Sequence, residues 1–436
     1  MADNDQDDKK SRLEKFFYDF NDARSIYHFL WAWAGSHWHG HPSEKTFVIG
    51  VTGTKGKTTT LELINAILET AGKRTALLSS LRVKVGEESH KNTTGNSMPG
   101  HAFVQKFLRS AVNHQCNYAL IEVTSQAVVQ HRHRFVHWNM GVLTNLAPEH
   151  IEAHGSFENY REAKLDFLQY VVKEGGKVFL NRDDRNVGFF MDELANDEPI
   201  TYSKDDEFLK DYLSRARLEQ ARRGDEEPPF IMSDFNKENV AVAVAIAREL
   251  GIKGELIEET LSHFQGVPGR MEFVRAGDYT AIVDYAHTPD SLEAAYIAAK
   301  PRPTRQFPKS RLICVLGAAG GGRDTWKRSA MGSIAAEYCD EIVLTDEDPY
   351  DEDSQAIINE IESGIAEPLR EGQHIYKIVD RDDAIKKAIG LAQPGDVVIG
   401  TGKGSEDWIH IARGGKVPWN EYETFKKRLE EKERPR

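Results

Sequence analysis

Residues 46–60, Thr-Phe-Val-Ile-Gly-Val-Thr-Gly-Thr-Lys-Gly-Lys-Thr-Thr-Thr, set an apolar run against a glycine turn and close it with a Lys-Thr pair that opens a helical stretch. Phe47, Val48, Ile49 and Val51 are strand formers, and residues 58–71 read as a helix, so the chain must reverse direction within a few residues. Gly53 and Gly56 give the turn its freedom, and in such a turn backbone N–H groups converge on an anion. Lys57 would then reach the outer phosphates of a nucleoside triphosphate, and Thr58 would ligate Mg²⁺. The common phosphate-loop pattern is short by one glycine, because Val51 stands where the first belongs and a compact Gly-Thr-Lys-Gly-Lys-Thr remains. A strand-turn-helix that merely contains glycines is the plainer reading. The Lys-Thr pair directly after the turn favours phosphate binding, since both residues then have a mechanical role.

A chain of 436 residues has room for two or three domains with separate cores. With 56 Lys and Arg against 69 Asp and Glu, the net charge is −13, so nucleic acid would have to bind against the field of the whole molecule and is not expected as a partner. The three cysteines, Cys116, Cys314 and Cys339, are far apart and lack Cys-x-x-Cys spacing, which excludes a disulfide framework and a cysteine-rich zinc site and suits a reducing cytoplasm. The first residues are acidic where a secretory signal would be basic, and no apolar run approaches the roughly 20 residues that span a bilayer.

Residues 11–38 read as helical and aromatic, with Phe16, Phe17, Phe20, Tyr27, Phe29, Trp31 and Trp33, and form with the rest of 1–45 a short appendage. Packing of these rings onto the main body is the plainer expectation, and peripheral contact with a membrane or a protein is the alternative. His37, His39 and His41 follow in a loop without supporting carboxylates and are expected to be solvated rather than metal ligands. From 46 to about 270, strand-like runs (118–123, 140–144, 177–180) alternate with helices, which predicts a mostly parallel sheet covered by helices. Residues 203–229 are charged and read as a surface excursion. A second alternating series over 271–436 (281–283, 312–316, 341–344, 396–399) predicts a second α/β domain. Glu122 ends a strand-like run, at the sheet edge where α/β folds bind ligands, and is read as a magnesium ligand or a helix cap. Residues 144–155 gather polar groups after another strand, and Lys164 follows in a predicted helix.

Gly-Thr-Lys-Gly-Lys-Thr-Thr-Thr, Glu-Val-Thr-Ser after the second strand, Thr-Asn-Leu followed by Glu-His, Glu-Asn-Tyr-x-x-x-Lys ending at Lys164, Val-Pro-Gly-Arg-Met-Glu at 267–272 and Asp-Tyr-Ala-His-Thr-Pro-Asp at 284–290 together resemble the Mur ligases, from residue 46 to about 425. The likeness is greatest to the UDP-N-acetylmuramoyl-tripeptide synthetases. It implies a central P-loop ATPase domain and a C-terminal Rossmann-like α/β domain. The implied reaction is ATP-dependent amide formation, in which the carboxylate of a muramoyl-peptide acceptor is phosphorylated and then captured by the amine of an amino acid. By that resemblance Gly53, Thr54, Lys55, Gly56, Lys57, Thr58, Thr59, Asn236, Asn239, Arg270 and Asp284 contact ATP. Thr58, Glu122, His150 and a carbamylated Lys164 would hold Mg²⁺. Asn92, Thr93, Thr94, Thr124, Gln130 and Arg132 would hold the acceptor. Arg323, Glu347, Asp348, Pro349, Tyr350, Gly402 and Glu406 would hold the amino acid. For Asn236 and Asn239, capping of the next helix is the simpler alternative.

The chain departs from the pattern at several places, the lesser ones being Gln126 for His, Glu149 for Asp and Gly95 for Pro. Glu347-Asp348-Pro349-Tyr350 stands where the diaminopimelate-selecting members have Asp-Asn-Pro-Arg, so the arginine that clasps a distal carboxylate is missing. With Asp346, Asp351, Glu352 and Asp353 alongside, the loop favours a cationic side chain, lysine or ornithine, unless it is simply a solvated acidic loop. Ser405 replaces a histidine in Gly-Lys-Gly-Ser-Glu. Residues 1–45 are too few for the nucleotide-sugar domain that precedes the phosphate loop in typical members. A relative acting on another acid, such as a polyglutamyl ligase, and a nucleotide-binding protein without turnover are the competing functions. Retention of Lys57, Glu122, His150 and Lys164 speaks against the latter.

Overall fold

The run that precedes the glycine turn is β1 (Phe47–Thr52), buried from its second residue to its last, as a strand covered on both faces must be. In the computed structural model, which describes residues 26–100, 102–148, 154–223, 234–276, 279–301, 305–322, 324–365 and 369–433, the chain forms two compact units. One comprises Met1–Ala216 with Glu238–Ser262, the other Arg217–Lys237 with His263–Arg436.

The first unit is built on eight strands: β1, β2 (Thr75–Leu78), β3 (Arg82–Val85), β4 (Glu88–Lys91), β5 (Tyr118–Glu122), β6 (Met140–Leu143), β7 (Lys177–Asn181) and β8 (Ile200–Tyr202). They lie in the order β4-β3-β2-β5-β1-β6-β7-β8. The sheet is parallel from β2 to β8, and β3 and β4 run antiparallel at one edge. β5, β1 and β6 are therefore neighbours, and their carboxyl ends lie side by side. Ligands of open α/β sheets bind at such ends. The Phe157–Lys173 helix lies directly on β1. A Cβ on Gly50 would come within 2.6 Å of Phe167 and 2.7 Å of Trp138, so only glycine admits the helix there. Trp138 and Phe167 are fully buried and meet edge to face at 5.2 Å.

The second unit has β9 (Glu272–Ala276), β10 (Tyr279–Val283), β11 (Leu312–Leu316), β12 (Glu341–Leu344), β13 (His374–Lys377) and β14 (Val397–Gly400), in the order β13-β12-β11-β14-β10-β9. All pairings are parallel except β9 with β10. One face packs on a core that includes Leu292, Tyr296, Met331 and Ile358 from the Pro289–Ala299, Lys327–Tyr338 and Ser354–Glu362 helices. The other face packs on Ile385, Ile389, Phe425 and Leu429 from the Arg381–Leu391 and Glu421–Glu433 helices. A hairpin, β15 (Trp408–Ile411) and β16 (Gly415–Pro418), follows β14.

Two α/β sheets in tandem, with strands where the sequence places them, match the expectation. The charged stretch after residue 203 differs: Glu207–Arg223 is a helix anchored by buried Leu209, Leu213 and Ala216. Its apolar residues recur at helical spacing, a signal masked by the surrounding charges. Residues 26–38 are helical as expected, and the earlier part of the predicted appendage helix lies outside the described residues. No described helix is long and apolar enough to cross a membrane.

Candidate active site

The glycine loop between β1 and the Lys57–Thr70 helix is held by the strand beside it. Gly53 has φ 146° and Gly56 φ 80°, both in the region that favours glycine, and a Cβ on Gly53 would overlap the Thr144 hydroxyl. Thr144, just beyond β6, donates to the Lys55 carbonyl at 2.6 Å, and the Asn145 side chain accepts from the Lys55 N–H at 2.8 Å. Thr54 Oγ1 meets Tyr160 Oη at 3.1 Å and accepts from Ala147 N at 3.0 Å. The Lys57 ammonium donates to the carbonyls of Gly53 and Thr54, each at 3.0 Å, and so lies over the loop itself. Lys164, fully buried on the helix that crosses β1, donates to Gly53 O at 2.9 Å and stands 4.4 Å from the Tyr160 ring centre. Two lysines thus converge on one carbonyl of the loop. Thr59 is buried in the first turn of the helix.

Glu122, at the end of β5, is buried and accepts from Thr58 Oγ1, Ser80 N and Ser97 Oγ, each at 2.9 Å. A hydroxyl and a carboxylate oxygen in contact beside a phosphate loop are hard oxygen donors, which is the set Mg²⁺ takes. Asn239, inside the Asp234–Glu249 helix, accepts from Thr60 Oγ1 at 3.2 Å, and a Cβ on Gly56 would overlap its side-chain oxygen. Asn236 is buried in the same helix, and neither asparagine is its cap.

The expected acceptor residues lie on the segments that flank Glu122 and its partners Ser80 and Ser97. Asn92 Nδ2 donates to Ser79 O at 2.7 Å, and Asn92 Oδ1 accepts from Thr94 N and Oγ1, which folds the loop after β4. Thr93 lies exposed on that loop. Thr124 caps the Ser125–Val129 helix by accepting from Ala127 N at 3.2 Å. Arg132 donates to Met98 O and to the Gln130 side chain. Among the described residues no carboxylate pairs with Arg132, its Nε is buried without a partner, and desolvation lowers its pKa.

In the second unit the other expected residues gather at the carboxyl ends of β10, β12 and β14. Asp284 accepts from the N–H groups of Met271 and Ala286 at 2.8 and 2.7 Å, and Arg270 lies over the Tyr285 ring at 4.0 Å. Lys403, fully buried, donates to Asp348 Oδ1 at 2.9 Å and to Glu406 Oε2 at 2.6 Å, while Tyr285 donates to Glu406 Oε1 at 3.2 Å. Glu406 is therefore shared between two donors rather than standing open. Glu347 is buried with Oε2 unpartnered, and a Cβ on Gly402, which has φ 101°, would come against that oxygen. Burial pushes its carboxyl up to about 7 although Lys403, Arg381 and Lys327 pull it down. Asp348 O accepts from Gly320 N at 2.8 Å, and Tyr350, with φ 52°, stacks on His410 at 5.2 Å, so Pro349 is held between two fixed neighbours.

The remaining loop acids have structural partners. Asp346 accepts from Ser354, Asp351 from Arg413 N and Asp353 from Ala356 N, and Glu352 pairs with Arg328 at 2.8 Å. The acidic loop is neither simply solvated nor a field of free charge, and Glu347 is the one of these acids with a buried oxygen that lacks a hydrogen-bond partner. His150 and Arg323 lie outside the described residues. Reading the sequence missed Ser80, Ser97, Tyr160, Lys403 and Arg381. Tyr160 and Lys403 stood in quoted motifs without a role, and the others carry no local pattern. Of the histidines before β1, His37 contacts Trp33 O and His41 contacts Ser36 Oγ, each at 3.0 Å.

A phosphate loop at the carboxyl edge of one parallel sheet, followed in the chain by a second α/β unit with charged loops at the carboxyl edge of its own sheet, defines an ATP-dependent ligase. Models of the Mur ligase middle domain and of the Mur ligase glutamate ligase domain match residues 51–247 and 269–404. The UDP-N-acetylmuramoyl-L-alanyl-D-glutamate--2,6-diaminopimelate ligase of Syntrophomonas wolfei is 36% identical over 388 residues, 86% of this chain and 76% of its own. The UDP-N-acetylmuramyl-tripeptide synthetase of a Roseiflexus species is 35% identical over 416 residues, 90% and 80%. A solved UDP-N-acetylmuramoyl-L-alanyl-D-glutamate--2,6-diaminopimelate ligase superposes with TM-score 0.58 at 25% identity, covering 89% of this chain and 79% of that one. The folylpolyglutamate synthase of Mycobacterium tuberculosis, at 13% identity, shares the fold with TM-score 0.62, covering 87% and 96%. The chain belongs to the Mur ligase family, whose members use ATP and Mg²⁺ to form amide bonds.

Proposed function

We propose that the protein joins an amino acid to the terminal carboxylate of a muramoyl-peptide acceptor in peptidoglycan precursor synthesis, by way of an acyl phosphate. The observation that carries this reading is the convergence of Lys57, Thr58, Glu122 and Lys164 on one loop at the end of β1. A carboxylate and a triphosphate repel each other at reacting distance, so phosphoryl transfer depends on fixed positive charge and positioning. Lys57 swings from the Gly53 and Thr54 carbonyls to the outer phosphates when nucleotide binds, while the loop N–H groups hold the remaining oxygens. Thr58, Glu122, His150 and a carbamylated Lys164 would hold Mg²⁺, which would supply neutralisation of the phosphate charge. Carbamylation would replace an ammonium by an anionic oxygen ligand, and the place of Lys164, fully buried with its Nζ on Gly53 O of the loop, supports a role there. The acceptor lies along Asn92–Thr94, Thr124, Gln130 and Arg132. The amino acid lies at Glu347–Tyr350, Gly402, Glu406 and Arg323, and the resemblance assigns ATP contacts to Asn236, Arg270 and Asp284.

For the amino acid, Tyr350 in place of a carboxylate-clasping arginine and the open oxygen of buried Glu347 favour lysine or ornithine over diaminopimelate. An amino-acid panel led by diaminopimelate would refute that choice. A reaction that consumes ATP and a free amino acid suits the cytoplasm. The ligase reading is tested with heavy oxygen in the acceptor carboxylate. Label must appear in the released phosphate as conjugate forms, and conjugate accumulating without labelled phosphate contradicts the acyl-phosphate route.

A further inference from the structure

The helix over residues 26–38 is seated on the first unit by the side that carries Gly35 and Ser36. A Cβ on Gly35 would lie 2.5 Å from Ala102 Cβ, Ser36 Oγ donates to Phe135 O at 3.3 Å, and Arg109 ties the turn that follows by donating to His39 O at 2.7 Å. Phe29 joins this packing edge to face with Phe135 at 5.1 Å. On the opposite arc Ile26, Leu30 and Trp33 follow one another at helical spacing, with Tyr27 and Trp38 on the next line round. All five are exposed, Trp38 to 89%. Seven of the fifteen exposed large apolar side chains among the described residues fall within this one helix, and such a cluster on an otherwise charged surface marks a docking face.

The charges around the face narrow what it can dock on. From Ile26 to Ser43 there is no Asp or Glu, in a chain where they make up 69 of 436 residues. At the far end of the helix, burial and then the charges of Arg109 and Lys106 hold the His39 imidazole below its usual value, and neither cation is paired with a carboxylate among the described residues. Arg132 and Arg134 border the near end beside His28 and Trp31, with Arg134 paired to Asp166 at 2.9 Å. In a molecule of net charge −13, a face free of carboxylates and bordered by cations is the one that can approach an anionic surface. A seam between two helices is a narrow stripe of branched aliphatic side chains flanked by charges of both signs. This arc is wide, rich in indole and phenol rings and without a flanking acid, and such rings concentrate where hydrocarbon meets water. At 13 residues the helix falls well short of the roughly 20 that cross a bilayer, so it can only lie in the boundary plane.

We propose that the 26–38 helix docks the protein on an anionic lipid surface, with its outward rings at the headgroup boundary and the cations at its ends against lipid phosphates. Gln130 and Arg132 border the same helix, so docking sets the residues proposed for the acceptor beside the bilayer. Lipid binding of this kind is independent of the ligase reading.

The test floats the full chain with phosphatidylcholine vesicles and with vesicles that also contain phosphatidylglycerol. The wild type is expected to float with both and more tightly with the second, and its tryptophan emission should be quenched by lipids brominated in the acyl chains. Leu30→Glu and Trp33→Glu, which set a charge on the outward arc, should each weaken flotation about tenfold or more, the loss of one buried apolar side chain with a charge in its place. Lys106→Glu should reduce the preference for phosphatidylglycerol several-fold. Ile297→Glu, at a comparably exposed apolar side chain on the second unit, should change nothing. Affinity for MgATP serves as the folding control in each variant. Failure of the wild type to float, flotation unchanged in both Leu30→Glu and Trp33→Glu, a loss matched by Ile297→Glu, or equal affinity for the two vesicles overturns the proposal. So does a wild-type dimer that does not float and that Leu30→Glu dissolves, since the face then belongs to a second copy of the chain.

Discussion

Glu347 is a carboxyl group in a buried place with one oxygen unmatched, and its titration can be followed directly. Its ordinary value is 4.5 and burial raises it to about 7, so between these limits the folded protein binds a proton that the unfolded chain releases. This contribution to stability is fully present below 4.5 and is lost as pH rises through about 7. The size is on the order of 3 kcal/mol. Denaturant titrations should show stability falling over that window, and Glu347→Gln should remove this fall. If Glu347 receives a cationic side chain, the amino-acid KM should also drop as pH rises through the same range in wild type and not in the variant. Lys57 is tested more simply: Lys57→Ala should slow amino-acid-dependent ADP release by about a hundredfold or more, as loss of a charge-stabilising group does. Lys57 was legible because phosphate chemistry imposes a spacing on the sequence, whereas Glu122 was marked only by its place at the end of a strand-like run. Lys164 was found by resemblance alone, since its role depends on a helix crossing β1 at Gly50, and Ser80 and Ser97 depend on loops that close only in three dimensions.

At the scale of elements, the Glu421–Glu433 helix does more than cover the second sheet. Arg381 and Glu421 form a fully buried ion pair at 2.7 Å, and the same guanidinium donates to Asp346 O at 2.8 Å and Thr401 O at 2.6 Å. One helix thereby fixes the loops after β12 and β14, which carry Glu347 and Lys403. Glu421→Gln should cost about 3–5 kcal/mol, because it leaves Arg381 buried and unpaired. A thermal melt of the variant and its amino-acid KM should both move, and an unchanged KM would mean that the loops hold themselves. The strands of both sheets were readable because a strand buried on both faces must be a short, continuous apolar run. This coupling was not, since residues 40 positions apart meet only through tertiary packing.

For the whole molecule, a net charge of −13 coexists with sites for anionic ligands because cations are placed locally at Lys57 and Arg132. The first unit is also discontinuous, leaving after Ala216 and returning at Glu238. Asn239 lies on the returning stretch and touches Thr60 beside Gly56. During translation the ribosome must therefore deliver nearly two hundred further residues after the phosphate loop before the loop receives its last neighbour. A tethered nascent chain ending at residue 233 should leave the loop open to protease even with nucleotide present, and one extended through residue 262 should gain nucleotide-dependent protection. The timing of ATP capture is thus written into where the polypeptide crosses back.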